Sequence, residues 1–156
     1  MISVSIPGWG DIEIEYLLVD YNGTIALDGK LKAGVKELLE KISRYIRVFI
    51  VTADTYDSVD SDVDVMGFNV LKVKKDNSAE EKAKIVKELG PEKVLAIGNG
   101  ANDALMLKEA ALGIGVIGEE GCAKILLKEA DIIVKDITEA LNIVLHPERI
   151  IATLQS

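Results

Sequence analysis

Short aliphatic runs alternate along this chain with segments of helical period, and that alternation leaves few architectures open. Strand-like runs lie at 2–6, 12–19, 46–51, 68–73, 93–97, 112–117 and 131–134. Between most of them the apolar residues return at helical spacing, as with Val35, Leu38, Leu39 and Ile42 in 32–45, where Lys, Glu and Arg fill the other positions. Further helices are expected over 78–89, 103–110 and 121–129, followed by one or two closing helices split by Pro147. Strands alternating with helices need crossover connections. The expected fold is therefore α/β, a doubly wound, mostly parallel sheet with helices on both faces. Pro7-Gly8-Trp9-Gly10 separates the first two runs, so an N-terminal hairpin should lead into the sheet. No repeat, linker or low-complexity segment interrupts residues 1–156, which are expected to form one domain.

Composition supports this frame. Hydrophobic residues make up 49% of the chain but aromatics only 4%, so the core must be built from Val, Ile, Leu and Ala, as in a parallel sheet covered on both sides. The net charge of -8 argues against a general nucleic-acid or anionic-membrane surface. No apolar run reaches the ~18 residues of a spanning helix, and the N-terminus lacks the basic and apolar regions of a signal peptide. The single cysteine, Cys122, fits a reducing compartment, and a cytoplasmic location is expected. The acidic stretch with Asp54, Asp57, Asp60, Asp62 and Asp64 reads as a solvated surface helix or loop, since its spacing does not gather the carboxylates on one face.

The polar residues that matter follow strand ends. Asp20 ends the run Tyr16-Leu17-Leu18-Val19 and opens the turn Tyr21-Asn22-Gly23-Thr24; Thr52 ends the second strand; Gly98-Asn99-Gly100-Ala101-Asn102-Asp103 follows the fourth. In open α/β sheets ligands bind outside the carboxyl ends of the strands, which places these groups on one edge. Lys82, near the start of the helix before the fourth strand, has the reach to join them. Singly, each has a plainer role as a turn-former, cap or solvated helix residue. Together they offer a nucleophilic carboxylate, a hydroxyl, a cation and a carboxylate-bearing glycine loop, a set suited to phosphoryl transfer. Gly23, Gly98 and Gly100 would let backbone N–H groups approach and cradle a phosphate.

The order DYNGT, VTAD, EEKAKIVKEL and AIGNGAND resembles the haloacid dehalogenase-like superfamily over about residues 14–145. It is most similar to the phosphorylation domain of P-type ATPases, with its DKTGT, Thr motif, Lys helix and GDGxND. The absence of long apolar segments suits a free-standing relative and not an ion pump. The resemblance implies a Rossmann-like core in which Asp20 is the nucleophile that forms an aspartyl-phosphate. Thr52 and Lys82 would hold and neutralise the phosphoryl group, with Gly23, Thr24, Ala53 and Asn102 also contacting it. It further implies Mg²⁺ held by Asp20, the backbone carbonyl of Asn22, Asn99 and Asp103, an oxygen-only set of the kind this ion prefers. Intervals of 32 positions from Asp20 to Thr52 and 30 from Thr52 to Lys82 leave no room for a cap domain. An uncapped site implies a large phosphorylated substrate, or a homo-oligomer in which a neighbouring subunit encloses the site.

Two positions depart from the family. Asn22 stands where its phosphatases carry the acid/base aspartate, and an amide performs no proton transfer, a role worth about 10²–10⁴-fold. Asn99 stands where GDGxND has its metal-binding aspartate, which removes one negative charge. The expected activity is a slow Mg²⁺-dependent phosphatase or phosphotransferase; the alternative is a catalytically impaired phosphate-binding or regulatory module. Elsewhere, Ser78 with Glu81 three residues on reads as a capping box, His146 as a helix-junction residue, Cys122 as the start of a helix, and Trp9 as a turn residue or an anchor for a partner.

Overall fold

A computed structural model describes residues 1–53, 63 and 67–156. The five aspartates of the acidic stretch lie outside the described residues. Strand β1 (Ile2–Ile6) pairs antiparallel with β2 (Gly10–Ile14) in a two-stranded sheet, in register from Ile2 opposite Ile14 to Ile6 opposite Gly10. The main sheet has six strands, all parallel: β3 (Tyr16–Asp20), β6 (Arg47–Thr52), β7 (Asn69–Lys72), β8 (Val94–Gly98), β9 (Leu112–Val116) and β10 (Ile132–Val134). Their spatial order is β10-β9-β8-β3-β6-β7, so β3 is central and flanked by the two strands that carry the other motifs.

Side-chain alternation along the strands divides the interior in two. Leu17 and Val19 of β3 pack into one core with Val35, Leu39 and Ile42 of α1 (Val35–Ile42) and with Leu141 and Val144 of the helix 137–145. Leu18 enters the other core with Val86 of α2 (Ser78–Leu89), Met106 and Leu107 of α3 (Ala104–Glu109), and Leu126 of α4 (Lys124–Glu129). Helices thus cover both faces, as the alternation requires. The closing pair is α5 (Ile137–Leu145), capped by the Asp136 carboxylate on the Glu139 N–H, and α6 (Glu148–Leu154) beyond Pro147. His146 sits exposed at that junction, with Nδ1 3.3 Å from Glu148.

The structure differs from the sequence reading in three places. The run 12–19 is two strands in two sheets: Glu15 breaks it, its N–H donating to Lys93 O and its carbonyl accepting from Arg47 N, which moors the hairpin at the amino ends of β8 and β6. Between Asp20 and α1 lies a small antiparallel pair, β4 (Ala26–Leu27) and β5 (Lys30–Leu31), turned by Asp28 at φ 52° and Gly29 at φ 82°. Two successive left-handed residues are what a type I′ hairpin turn demands, and Asp-Gly supplies them. Finally, Ser78 does not cap α2: it is the first helical residue, and the Glu81 carboxylate accepts from the Lys74 N–H instead. The Ser78 hydroxyl accepts from Asn102 Nδ2 at 3.2 Å, a contact towards the strand ends.

Candidate active site

The strand β3 is fully apolar until its last residue, so the chain buries Asp20 by carrying it to the sheet's edge between β6 and β8. The turn that follows is tightly wound. Tyr21 O accepts from the N–H groups of Thr24, Ile25 and Ala26 at 3.2, 3.0 and 3.0 Å, and the buried Tyr21 hydroxyl donates to Gly29 O at 2.8 Å. Gly23 takes φ 82°, and a Cβ there would lie 2.9 Å from Asn99 Nδ2, so both conformation and space demand glycine. Thr24, fully buried, presents its hydroxyl to Asp20 Oδ2 and to Asn99 Oδ1, each at 3.1 Å.

The centre of the arrangement is the ammonium of Lys82, 1% exposed. Its Nζ lies 2.9 Å from Asp20 Oδ1, 2.7 Å from Asp103 Oδ1 and 3.4 Å from Asn102 Oδ1. Two carboxylates share one cation in a desolvated place, and Asp20 and Lys82 are both shifted by it. Burial, and after it the Asp103 charge, pushes the Asp20 carboxyl up to about 7 against the opposing pull of Lys82 and Thr24. For Lys82 burial is the largest single influence and acts downward, but Asp20 and Asp103 together outweigh it and hold the ammonium above its ordinary range.

Asp103 differs from its expected role. It is wholly buried, with Oδ1 on Lys82 and Oδ2 accepting from the N–H groups of Asn99 and Gly100 at 3.0 and 3.1 Å. Both oxygens therefore serve the loop and the lysine, and neither faces the opening. Gly98 makes this possible, because a Cβ there would stand 2.5 Å from the Asp103 side chain. The anticipated glycine cradle is also not formed by the N–H groups of Gly23 and Gly100, which are taken by Ala26 O and Asp103 Oδ2.

A cavity of about 270 Å³ opens over this cluster, lined by Asp20, Asn22, Thr52, Ala53, Lys82, Asn99, Gly100, Asn102 and Glu120. Of the residues singled out in the sequence, Asp20, Asn22, Thr52, Ala53, Lys82, Asn99 and Asn102 meet there, whereas Gly23, Thr24 and Asp103 stand behind the wall and position it. Glu120 was missed. Its signal was available: Gly118-Glu119-Glu120-Gly121 follows the carboxyl end of β9, the same edge as the other motifs. Cys122 lies before α4, half-buried, and burial followed by the Asp103 charge pushes its thiol up, opposite to the lowering a helix start would give. A larger cavity of about 610 Å³ between β5 and α5 is lined by Leu27, Lys32, Glu119, Asp136 and neighbours and lies apart from the nucleophile.

Known proteins can be set beside this geometry. An uncharacterized protein of Methanocaldococcus jannaschii is 46% identical over 90 residues, 53% of this chain and 97% of its own length. Among solved structures, 3-deoxy-D-manno-octulosonate 8-phosphate phosphatase from Moraxella catarrhalis, in complex with magnesium, phosphate and KDO, is similar at a TM-score of 0.65. That likeness is one of fold, at 20% identity over 91% of this chain and 94% of the other. The catalytic domain of the CPx-ATPase CopB-B gives a TM-score of 0.60 at 27% identity, covering 74% of this chain and 46% of that one. A family model described as haloacid dehalogenase-like hydrolase matches residues 3–111, more than half of the sequence. On that match, and on the parallel sheet with its motif-bearing edge, the chain belongs to the haloacid dehalogenase-like hydrolases.

Proposed function

We propose that residues 1–156 act as one domain, a slow phosphatase that works through an aspartyl-phosphate on Asp20. The observation that carries this reading is the buried Asp20–Lys82–Asp103 cluster opening into a polar cavity at the sheet's carboxyl edge. A carboxylate oxygen of Asp20 attacks the phosphorus of a phosphomonoester, the bond from phosphorus to the substrate oxygen breaks, and water later attacks the phosphorus of the acyl phosphate to free inorganic phosphate and Asp20. Lys82 lowers the cost of bringing an anion to a carboxylate, and Thr52, Ala53 and Asn102 line the space the phosphoryl oxygens would occupy. Thr24 and Asp103 position Asp20 and Lys82 and touch no substrate. Neither Asn22 nor any other amide protonates the leaving oxygen, so that proton comes from water and turnover is slow.

The donor chemistry of the cavity wall fits Mg²⁺. Asp20, the Asn22 carbonyl and Asn99 Oδ1 are hard oxygens. Among the described residues no three His, Cys, Asp or Glu side chains converge as a ready-made metal centre, so the set would be a mixed carboxylate and amide one. Mg²⁺ held there would supply positive charge that favours the ionised form of Asp20 and offsets the charge of a phosphoryl group. Magnesium and phosphate occur together in the structurally similar Moraxella phosphatase, which supports the choice.

The intervals between the motifs hold sheet and helix elements and, among the described residues, no inserted cap. The substrate is therefore a large phosphorylated molecule, or a smaller one enclosed by a second subunit. No described helix is long and apolar enough to cross a membrane, and the location proposed is the cytoplasm.

The test is Mg²⁺-dependent hydrolysis of p-nitrophenyl phosphate. Asp20→Ala should abolish it, and Asn22→Asp should raise it by about 10²–10⁴-fold by restoring a proton-transfer group. Absence of turnover in both native chain and Asn22→Asp sinks the reading. The amides at 22 and 99 favour a second one, a phosphate-binding regulatory module. Calorimetry would then show phosphate binding that Asp20→Ala alters, without turnover in any variant.

A further inference from the structure

The turn after β9 is held from both sides. Gly121 N donates to Gly118 O at 2.9 Å, closing the turn over Glu119 and Glu120. On one flank Lys32 Nζ meets Glu119 at 2.8 Å. On the other, Asn99 Nδ2 donates to Gly121 O at 3.4 Å and Ala123 N donates to Asn99 O at 2.9 Å. The neighbours of Glu120 are thus pinned to β5's loop and to the GNGAND loop, and the side chain left between them lines the Asp20 cavity.

Its position within the cavity is specific. A Cβ built on Gly23 would lie 3.0 Å from Glu120 Oε2 and 2.9 and 3.1 Å from the two head atoms of Asn99. The carboxylate and the Asn99 amide are therefore at most about 6 Å apart, each being close to one shared point, a span over which a carboxylate acts strongly on a cation. Asn99 is the member of the oxygen set that brings no charge, and Asp103 does not make up for it, because it is wholly buried behind the cavity wall on Lys82 and the loop N–H groups. Glu119 cannot either, since it is neutralised by Lys32 and lines the other cavity.

We propose that Glu120 supplies the negative charge that Asn99 lacks, as an oxygen ligand to the divalent cation, directly or through a water that Mg²⁺ retains. The inference rests on the cation assigned to this cavity under the phosphatase reading. It makes the site a two-carboxylate one, Asp20 from β3 and Glu120 from the turn after β9, both lining the cavity with Asn99.

The experiment is calorimetric titration of Mg²⁺ into the full chain stripped with EDTA, with melting temperature read in EDTA and in Mg²⁺. Glu120→Gln should weaken Mg²⁺ binding by about tenfold or more and leave the melting temperature in EDTA unchanged, because the residue is exposed. Asn99→Asp in the Glu120→Gln background should recover most of the affinity, a rescue that a merely structural role would not give. Equal Mg²⁺ affinity in native and Glu120→Gln chains overturns the inference, as does a native chain that takes up no Mg²⁺. The phosphatase reading is decided separately. Mg²⁺-dependent turnover lost in Asp20→Ala, with affinity unmoved by Glu120→Gln, keeps that reading and discards Glu120. Binding that depends on Glu120 without turnover in any variant does the reverse.

Discussion

The two ends of the central strand β3 are built on opposite principles. At its amino end the hairpin β1–β2 places Val4, Ile6, Ile12 and Ile14 in the core with Ile150 of α6, and the chain closes with Ser156 N on Pro7 O at 3.0 Å. At its carboxyl end stand Asp20, Thr24, Thr52, Ser78, Lys82, Asn99 and Asp103, which are all the buried polar or charged side chains among the described residues. Apolar burial stabilises the first end by roughly 25 cal/mol per Å² removed from water. Buried ion pairs do no such thing for the second, since desolvation cancels much of the attraction. The difference teaches that stability and chemistry are separated at the two ends of one five-residue strand.

Lys82→Met should break the comparison most severely. It leaves Asp20 and Asp103 buried without a counter-charge, at a cost of about 3–5 kcal/mol at pH 8, and abolishes turnover. Urea unfolding at pH 5 should show a smaller loss, because the orphaned Asp20 carboxyl, already pushed up by burial, then accepts a proton. Next comes Ile14→Ala, which removes a fully buried side chain and should cost about 2–5 kcal/mol by the same measurement. Its kcat on p-nitrophenyl phosphate should stay at the native value while the chain is folded, and a large fall would show that the two ends are coupled. The smallest effect is a gain. Asp20 titrates near 7 when folded and near 3.8 when unfolded, so its protonated form favours folding and that stability disappears as pH rises from about 4 through 7. Asp20→Asn, which stays neutral, should be the more stable chain in EDTA above pH 7, by at most about 4 kcal/mol, with the advantage fading to nothing towards pH 4. A less stable Asp20→Asn at pH 8 would mean that the Lys82 pair outweighs burial.

Much of this was legible before any coordinates. The alternation of runs specified a parallel sheet with both faces covered, and the strand-end rule gathered Asp20, Thr52 and the Gly98–Asp103 loop on one edge, within reach of Lys82 on its helix. What escaped depended on which donor meets which acceptor. Periodicity ran through Glu15 because alternation does not register a strand passing from one sheet to another; only the backbone bonds to Lys93 and Arg47 reveal it. Ser78 and Glu81 have the spacing of a capping box, yet a tertiary partner, Asn102, competes for the serine. Glycine content suggested open N–H groups, but close packing, as of Gly98 on Asp103, proved its use. Glu120 was hidden by an ordinary Gly-Glu-Glu-Gly turn, in which nothing local distinguishes the glutamate paired with Lys32 from the one lining the Asp20 cavity.

Trp9, the only tryptophan of the sequence, is 39% exposed in the hairpin turn that belongs to the amino end. Among the described residues, none that lines the Asp20 cavity is aromatic. Intrinsic fluorescence excited at the indole therefore reports on the hairpin and stays quiet while ions or phosphates enter the cavity. Loss of fold and occupancy of the site become two independent channels in one sample, the first optical and the second calorimetric, with no label added to the chain.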